Sequence, residues 1–411
     1  MAVVAIIGTQ GIPAQYGGFE MLAQNLAKHL SKQHSLIVYC SSKAYDERIP
    51  LYLGAKLEYI PLNANGPQSI IYDLWSMLRA IPKADILLIL GVSGCIFLPI
   101  IKLFSKKKII VNLDGIDWKR QKWKWFARGY LKISERIAAK YADCLIADNA
   151  AIQDYISDTY NKESHLIAYG GDNALIELPV NKDSDLSVIA LNKTDNKSLA
   201  GIPDIRFNQY AFSVCRIEPE NNIHMVLEAF VQTKALPLII VGDWTRNKYS
   251  RSLRTKYGHL ENIQLLDPIW DPAQLFSLRI NAKLYIHGHS AGGTNPSLVE
   301  AMCVGLPVFA FDVAFNRATT LDEASYFSSK EDLAAKLDEL DDRELARLAE
   351  RMKDIGEKKY TWQAISEQYS QLFDAYALQN EHIRDKDIFS GVNYTANQDD
   401  TKNLRAPTDL M

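Results

Sequence analysis

The stretch HGHSAGGTNPSLVEAM, residues 287–302, combines a glycine-rich turn, a helix-starting pair and one carboxylate in a pattern suited to anion binding. Asn295 is a good N-cap residue because its side-chain oxygen can accept from backbone N–H groups, and a proline suits the next position. Gly292 and Gly293 allow the backbone to approach a ligand closely. A helix that begins here would present bare N–H groups and its positive dipole end to a phosphate, with Glu300 on the same helix. The alternative is an ordinary strand–turn–helix junction.

Two further loops carry residue types that bind phosphate or sugar oxygens. GTQGIPAQYGGFE places Gly17 and Gly18 at a predicted helix start, although it lacks the GxGxxG spacing of a dinucleotide site. In CRIEPENN, Arg216 follows a predicted strand, where its guanidinium can pair with phosphate in a bidentate manner. The alternatives are a glycine-rich turn that binds nothing, and an arginine that pairs with Glu218 or Glu220.

The stretch NLDGIDWKRQKWKWFARGYLK, residues 112–132, interleaves six Lys or Arg with five aromatic residues. KLFSKKK, residues 102–108, adds four positive charges nearby in sequence. This pattern is typical of a membrane-interface face and also of some nucleic-acid surfaces. The alternative is a solvated helix face whose aromatic side chains pack on the core. We favour an anionic membrane surface, because each basic residue near anionic lipid contributes roughly 1 kcal/mol.

The composition is that of an ordinary globular protein, with 47% hydrophobic and 23% charged residues and a net charge of −3. It gives no indication of a nucleic-acid partner. The N-terminal segment MAVVAIIG lacks the basic region of a secretory signal, so we expect a cytoplasmic protein. The apolar stretch 86–104 is interrupted by glycine and proline, which favours a buried strand, a turn and a helix over a transmembrane helix.

Apolar strand patterns alternate with helical patterns through both halves of the chain, and the length of 411 residues favours two domains. The alternation predicts an α/β fold with two doubly wound parallel sheets that face a cleft. Small ligands bind such folds at the carboxyl ends of the strands. The expected segments are a first domain over 1–176, a linker or insertion over 177–204, a second domain over 205–360, a last helix over 361–378 and a polar tail over 379–411.

Taken in order, GTQGIPAQYGGFE, DGIDWKRQKW, CRIEPENN and HGHSAGGTNPSLVEAM resemble bacterial family-4 glycosyltransferases. Within that family they resemble the branch of dTDP-rhamnose-dependent rhamnosyltransferases that build capsule, O-antigen and cell-wall polysaccharides. The resemblance implies the GT-B fold, in which a second Rossmann-like domain holds the donor nucleotide and the first holds the acceptor. It also implies that the helix 361–378 crosses back to the first domain, and that the enzyme uses neither metal nor cofactor.

The resemblance assigns roles to individual positions. Glu300 matches the second glutamate of a Glu-x7-Glu motif, which binds the ribose hydroxyls, and Gly292 stands where the first glutamate is expected. A 6-deoxy sugar, with a methyl group in place of a hydroxyl, would depend less on that missing contact. Arg216 matches the arginine that binds the diphosphate, whereas Asn221 stands where a lysine is usual.

With that lysine absent, backbone N–H groups of the glycine-rich turn and the helix dipole carry more of the diphosphate charge. Asp114 stands where many relatives have a histidine, and its implied role is acceptor orientation or acid/base help. The implied catalytic residues are therefore Arg216 and Asp114. The implied donor-binding residues are Gly17, Gly18, Arg216, Asn221, Gly292, Gly293, Thr294, Asn295 and Glu300.

The implied activity is that of a retaining hexosyltransferase that moves L-rhamnose from dTDP-rhamnose to an undecaprenyl-diphosphate-linked glycan. The expected location is peripheral, on the inner face of the plasma membrane. Three alternatives stay open at this point. The donor could be another nucleotide sugar, such as UDP-glucose or GDP-mannose. The chain could instead be a nucleotide-sugar epimerase on the same fold, or a carbohydrate-binding protein without enzymatic activity.

Overall fold

In the computed structural model of the chain, the described residues are 1–15, 17–113, 115–119, 124–176, 209–233 and 235–390. The candidate residue Asp114 lies outside them, and so does the linker predicted over 177–204. The predicted tail is described only as far as residue 390.

The first domain is built on a sheet that has eight strands among the described residues, in the order β3-β4-β2-β1-β5-β6-β7-β8. All neighbours are parallel except β3 and β4, which pair antiparallel at one edge. The strands are β1 (Val3–Ile7), β2 (Ser35–Ser41), β3 (Leu51–Tyr52), β4 (Ala55–Ile60), β5 (Ile86–Leu90), β6 (Lys108–Asn112), β7 (Cys144–Ala147) and β8 (His165–Leu166). The helices of this domain are α1 (Gly18–Leu30), α2 (Ser69–Ala80), α3 (Leu98–Phe104), α4 (Trp125–Tyr141) and α5 (Ala150–Tyr160).

The second domain has a sheet of six strands in the described part of the chain, all parallel, in the order β11-β10-β9-β12-β13-β14. The strands are β9 (Ala211–Val214), β10 (Leu238–Val241), β11 (Ile263–Leu266), β12 (Leu284–His287), β13 (Val308–Phe311) and β14 (Ser325–Phe327). The remaining helices are α6 (Ile223–Gln232), α7 (Lys248–Tyr257), α8 (Pro272–Ile280), α9 (Pro296–Val304), α10 (Ala314–Thr320), α11 (Lys330–Asp338), α12 (Asp342–Lys359) and α13 (Trp362–Ser390).

Both sheets are covered by helices on their two faces, which explains why their central strands are apolar throughout. Every residue of β5, for example, is buried. The first sheet separates two apolar clusters, one around Val4, Ile6 and Leu88 and the other around Ala5 and Leu87. Alternate residues of one strand thus pack on opposite faces. The predicted α/β architecture of two doubly wound parallel sheets is confirmed.

The apolar stretch 86–104 forms a buried strand, a turn and a helix. It contains β5, a short 3-10 turn at Cys95–Phe97 and α3, which is only seven residues long. The alternative interpretation as a transmembrane helix is therefore wrong. Within the part of the chain that the structure describes, no helix is both long enough and apolar enough to cross a membrane.

The last helix, α13, packs on the first domain although it follows the second in sequence. It contacts α1, and Trp362, Tyr369 and Phe373 join the apolar cluster of the first sheet. The hydroxyl of Ser370 lies 2.9 Å from Nε2 of the buried His34. The helix continues to Ser390, beyond the end predicted at residue 378.

Candidate functional site

The N-termini of two helices, one from each domain, meet across the cleft. Gly17 is the N-cap of α1 with φ 139°, and a Cβ there would lie 2.0 Å from a carboxylate oxygen of Glu20, so the position requires glycine. A Cβ built on Gly18 would lie 3.7 Å from Cγ of Pro296, the first residue of α9. The positive dipole ends of the two helices therefore lie next to each other, which favours an anion bound beside them.

The glycine-rich turn before α9 touches the first domain directly. A Cβ on Gly293 would lie 2.0 Å from Oδ1 of Asp148, and the Thr294 hydroxyl donates to the Asp148 carbonyl. A Cβ on Gly115 would lie 3.0 Å from the carbonyl carbon of Gly292. Close approach to a ligand was the role predicted for Gly292 and Gly293. The structure adds a second requirement, because a side chain at these positions would hold the domains apart.

Asn295 is the N-cap residue of α9, as predicted, but its side chain does not make the predicted capping hydrogen bond. The Asn295 carbonyl instead accepts from the N–H groups of Leu298 and Val299, at 3.0 and 3.2 Å. The start of α9 therefore lacks the side-chain acceptor that usually satisfies a helix N-terminus. This leaves its first turn available to an anionic ligand.

Arg216 is exposed just beyond the end of β9, and its guanidinium forms no ion pair with any described residue. Neither neighbouring glutamate forms an ion pair with Arg216. A carboxylate oxygen of Glu218 lies 3.7 Å from Nε of Arg246, and Glu220 is buried. Asn221 is also buried, and its side-chain amide donates to the Arg216 carbonyl at 2.7 Å. Asn221 thus stabilises the loop that carries Arg216.

Glu300 is held by two partners that sequence reasoning did not find. One carboxylate oxygen pairs with the Arg279 guanidinium, and the other accepts from the Asn173 amide at 3.0 Å. Asn173 in turn accepts from the indole N–H of Trp362 at 2.7 Å. The Arg279 side chain is only 5% exposed and that of Glu300 16%. The sequence signal that could have indicated a carboxylate partner was an arginine, Arg279, in the mostly apolar helix α8, because a buried charge needs a partner.

Replacement of Glu300 by alanine is expected to lower the free energy of unfolding by about 2 kcal/mol, because it leaves the Arg279 guanidinium buried without its carboxylate. Denaturant titration measures this loss. Glu331, an exposed residue of α11, provides the matched control, and Glu331→Ala should change stability little. Unaltered stability of Glu300→Ala would contradict a structural role of this ion pair.

Comparison with known sequence families separates the two halves of the chain. Residues 1–172 match a family described as a domain of unknown function, DUF1972. Residues 207–361 match the family described as glycosyl transferases group 1. The second domain is a group 1 glycosyltransferase domain. This confirms the broader part of the resemblance, a glycosyltransferase of the group 1 type, whereas bacterial family 4 and the rhamnosyltransferase branch stay predictions.

Solved structures similar to this chain share its GT-B fold at low sequence identity. Sucrose-phosphate synthase from Thermosynechococcus elongatus is 14% identical with a TM-score of 0.76, covering 92% of this chain and 100% of that one. Anabaena Alr3699/HepE in complex with UDP-glucose is 16% identical with a TM-score of 0.67, covering 91% and 99%. A putative UDP-N-acetylglucosamine 2-epimerase from Listeria monocytogenes is 13% identical with a TM-score of 0.54, covering 89% and 93%. A comparison with curated protein sequences gives no match.

Proposed function

We propose that this group 1 glycosyltransferase is a retaining hexosyltransferase that moves L-rhamnose from dTDP-rhamnose to a lipid-linked glycan. The products would serve capsule, O-antigen or cell-wall polysaccharide synthesis. The observation that carries the transfer reaction is the meeting of the uncapped start of α9 with the glycines of α1, at the sheet edge where Arg216 also follows a strand end. A donor diphosphate fits that arrangement of charge, and similar HepE was crystallised with UDP-glucose.

The proposed reaction breaks the bond between the anomeric carbon and the diphosphate oxygen. Negative charge grows on the leaving diphosphate while the sugar ring gains oxocarbenium character. Arg216 and the two helix N-termini stabilise that charge because they are fixed before the reaction begins. The acceptor oxygen attacks from the face that the diphosphate leaves, and its proton passes to the departing phosphate. The new glycosidic bond therefore keeps the anomeric configuration of the donor.

The choice of a 6-deoxy sugar rests on Gly292. This residue has φ 128°, a conformation that strains residues other than glycine. Because it is not the glutamate expected at this position, no carboxylate from it can bind a sugar hydroxyl. A donor such as L-rhamnose, which has a methyl group at C6, requires fewer such contacts. UDP-glucose and GDP-mannose are the alternatives that a donor screen must include.

The test of the proposed function measures free nucleoside diphosphate with the full-length protein and each of the three nucleotide sugars. A detergent-solubilised undecaprenyl-diphosphate-linked glycan is present in one arm and absent in the other. Release of dTDP only in the presence of the acceptor supports the proposal. Formation of an altered nucleotide sugar without acceptor would indicate an epimerase, and binding without any product would indicate a carbohydrate-binding protein.

Activity is expected to survive excess EDTA, because Arg216 and the helix N-termini supply the positive charge that a metal ion would otherwise provide. Initial rates with and without chelator measure this. Loss of activity on chelation and its return on addition of Mg²⁺ or Mn²⁺ would contradict a metal-independent leaving group.

We further propose that the outer face of α4 binds an anionic membrane. Its exposed basic residues recur at every fourth position and therefore form one stripe along the helix. The members of this basic stripe are Lys124, Arg128, Lys132, Arg136 and Lys140.

Large apolar side chains lie beside the basic stripe. Trp125 and Phe126 stack at 3.4 Å between ring centroids and are 72% and 67% exposed, and Ile133 is 56% exposed. The adjacent helix α3 exposes Leu103 and Phe104 at 76% and 79%. Apolar side chains flanked by basic ones fit a bilayer interface, where the rings enter the headgroup region and the cations meet lipid phosphates. The alternative, that these aromatic residues pack on the core, does not hold for Trp125 and Phe126.

Reversal of charge on the basic stripe is expected to abolish flotation with anionic liposomes at low salt. The variant Lys124→Glu, Arg136→Glu and Lys140→Glu loses an attraction of roughly 1 kcal/mol for each residue and replaces it with repulsion. The matched control reverses three exposed basic residues of the second domain, Lys248, Arg347 and Lys359.

Liposome flotation of both variants and the wild type, with vesicles that contain phosphatidylglycerol, decides the result. Equal binding by the two variants would show that the α4 face is not the membrane contact. Absence of wild-type binding at low salt would overturn the membrane proposal as a whole.

A further inference from the structure

Three aromatic rings form a ladder along one face of β12 and its continuation. The ring centroids of Tyr285 and His287 are 6.0 Å apart, and those of His287 and His289 are 4.2 Å apart with planes within 5° of parallel. Tyr285 and His287 are buried, whereas His289, at the end of the ladder, is half-buried. The Tyr285 hydroxyl donates to the Val214 carbonyl at 3.3 Å, so the ladder begins beside the end of the strand that precedes Arg216.

His289 and Arg216 follow neighbouring strands at the same edge of the second sheet. Strands β9 and β12 are parallel neighbours in which Leu284 pairs with Ala211 and Tyr285 with Phe212. Each of the two residues lies two positions beyond the last residue of its strand, His287 for β12 and Val214 for β9.

Hydrogen bonds join the loop that follows β12 to the loop that carries Arg216. The Asn222 amide donates to the Gly288 carbonyl at 3.0 Å, and both the N–H and the hydroxyl of Ser290 donate to the Glu220 carbonyl at 2.8 Å. The residues on either side of His289 are therefore fixed against the loop that carries Arg216.

His287 is a buried polar residue whose position is not explained by hydrogen bonding. Neither of its ring nitrogens hydrogen-bonds to a described residue, although an imidazole of this kind normally needs a partner when buried. Burial lowers the pKa of His287 to about 3, so the ring is neutral. Its clearest contact is the parallel stack with His289, and this stack fixes the plane of the outer ring.

We infer that His289 binds the diphosphate of the sugar donor, through a ring N–H that donates to a phosphate oxygen beside Arg216 and the start of α9. His287 is the positioning residue that holds this ring in place. The inference rests on the proposed function. It identifies His289 as the hydrogen-bond donor that acts together with Arg216, because Asn221 supplies no cation at the position where a lysine is usual. The ligand class is a nucleoside diphosphate, and the contact is to its phosphates rather than to its base or ribose.

The test compares calorimetric binding of a nucleoside diphosphate and of the matching monophosphate to the full-length protein. The probe is whichever of dTDP, UDP and GDP binds the wild type. His289→Ala is expected to weaken diphosphate binding roughly tenfold to a hundredfold, the effect of one lost hydrogen bond to a charged group, with a smaller effect on the monophosphate. His289→Gln keeps an N–H donor and should retain most of the affinity. His259→Ala, at an exposed histidine of the same domain, is the matched control.

Each outcome separates the inference from the proposed function. If the wild type binds none of the three diphosphates, the proposed function itself is overturned. If the wild type binds but His289→Ala binds the diphosphate equally well, the inference is overturned and the proposed function stands. An equal loss for diphosphate and monophosphate, with a lower melting temperature and no recovery in His289→Gln, would indicate a structural role and would also overturn the inference.

Discussion

The variant Arg216→Ala is expected to show a kcat about a hundredfold lower than the wild type, with an unchanged melting temperature. A charge-assisted contact to a leaving group is worth about 3 kcal/mol in the transition state, which corresponds to that factor. Arg216 is exposed, and its guanidinium holds no other part of the described structure in an ion pair. Its removal should therefore cost rate without costing stability. Initial rates with saturating donor, together with thermal melts, measure both quantities.

Arg246 provides the control for this experiment, because it belongs to the same domain and its nearest carboxylate contact is Glu218 at 3.7 Å. Arg246→Ala should leave kcat close to the wild-type value. If Arg216→Ala and Arg246→Ala show the same rate, the role of Arg216 in the leaving-group site is wrong and the loop is an ordinary strand–helix connection.

The variant Gly293→Ala is expected to lower kcat/KM at least about a hundredfold, because a displacement near 1 Å at a reacting centre can have that effect. The new Cβ would lie 2.0 Å from the Asp148 carboxylate, so either this buried side chain or the contact between the domains would have to shift. The change acts on domain closure, and the double variant Gly293→Ala, Asp148→Ala should recover part of the loss. Initial rates of both variants, with small-angle scattering in the presence of donor, measure activity and closure.

Gly129 offers the matched control, since a Cβ added there meets no atom within 4 Å. Gly129→Ala should keep full activity and gain a few tenths to about 1 kcal/mol of stability, because alanine is the better helix former. Full activity of Gly293→Ala would show that the observed contact between the domains is not required for catalysis.

The sheet architecture could be predicted because its signal is local. Each central strand is a short apolar run such as Ile86–Leu90, and each run ends at a turn that glycine or a polar residue marks. Several elements lack such a signal. Strand β8 has two exposed residues, and α7 is polar except for Tyr249, Leu253 and Tyr257, which recur at every fourth position and pack one face of the helix on the core. These elements depend on the surface against which they pack, which the sequence of the element does not reveal.

The residues of the site also fall into those that the sequence predicts and those that depend on tertiary packing. The glycine-rich turn, Arg216 and the start of α9 are neighbours of strand ends, so their convergence follows from the parallel topology. The partners of Glu300 do not, because Asn173 is 127 residues away in sequence and belongs to the other domain. The side chain of Asn295 shows a further limit, since a residue with strong capping preference makes no cap when the fold leaves that helix end open.

The return of α13 to the first domain has a consequence for how the protein is made. During synthesis the first domain leaves the ribosome early, yet Tyr369 and Phe373, which complete its core, are made only after the entire second domain. Until then α1 presents an uncovered apolar surface. The first domain of a nascent chain must therefore stay incomplete while the second domain forms. The last helix then completes the first domain in a single final step. Genetic truncation before Trp362 would consequently release a chain in which the first domain, far from the cut, is the one left unfinished.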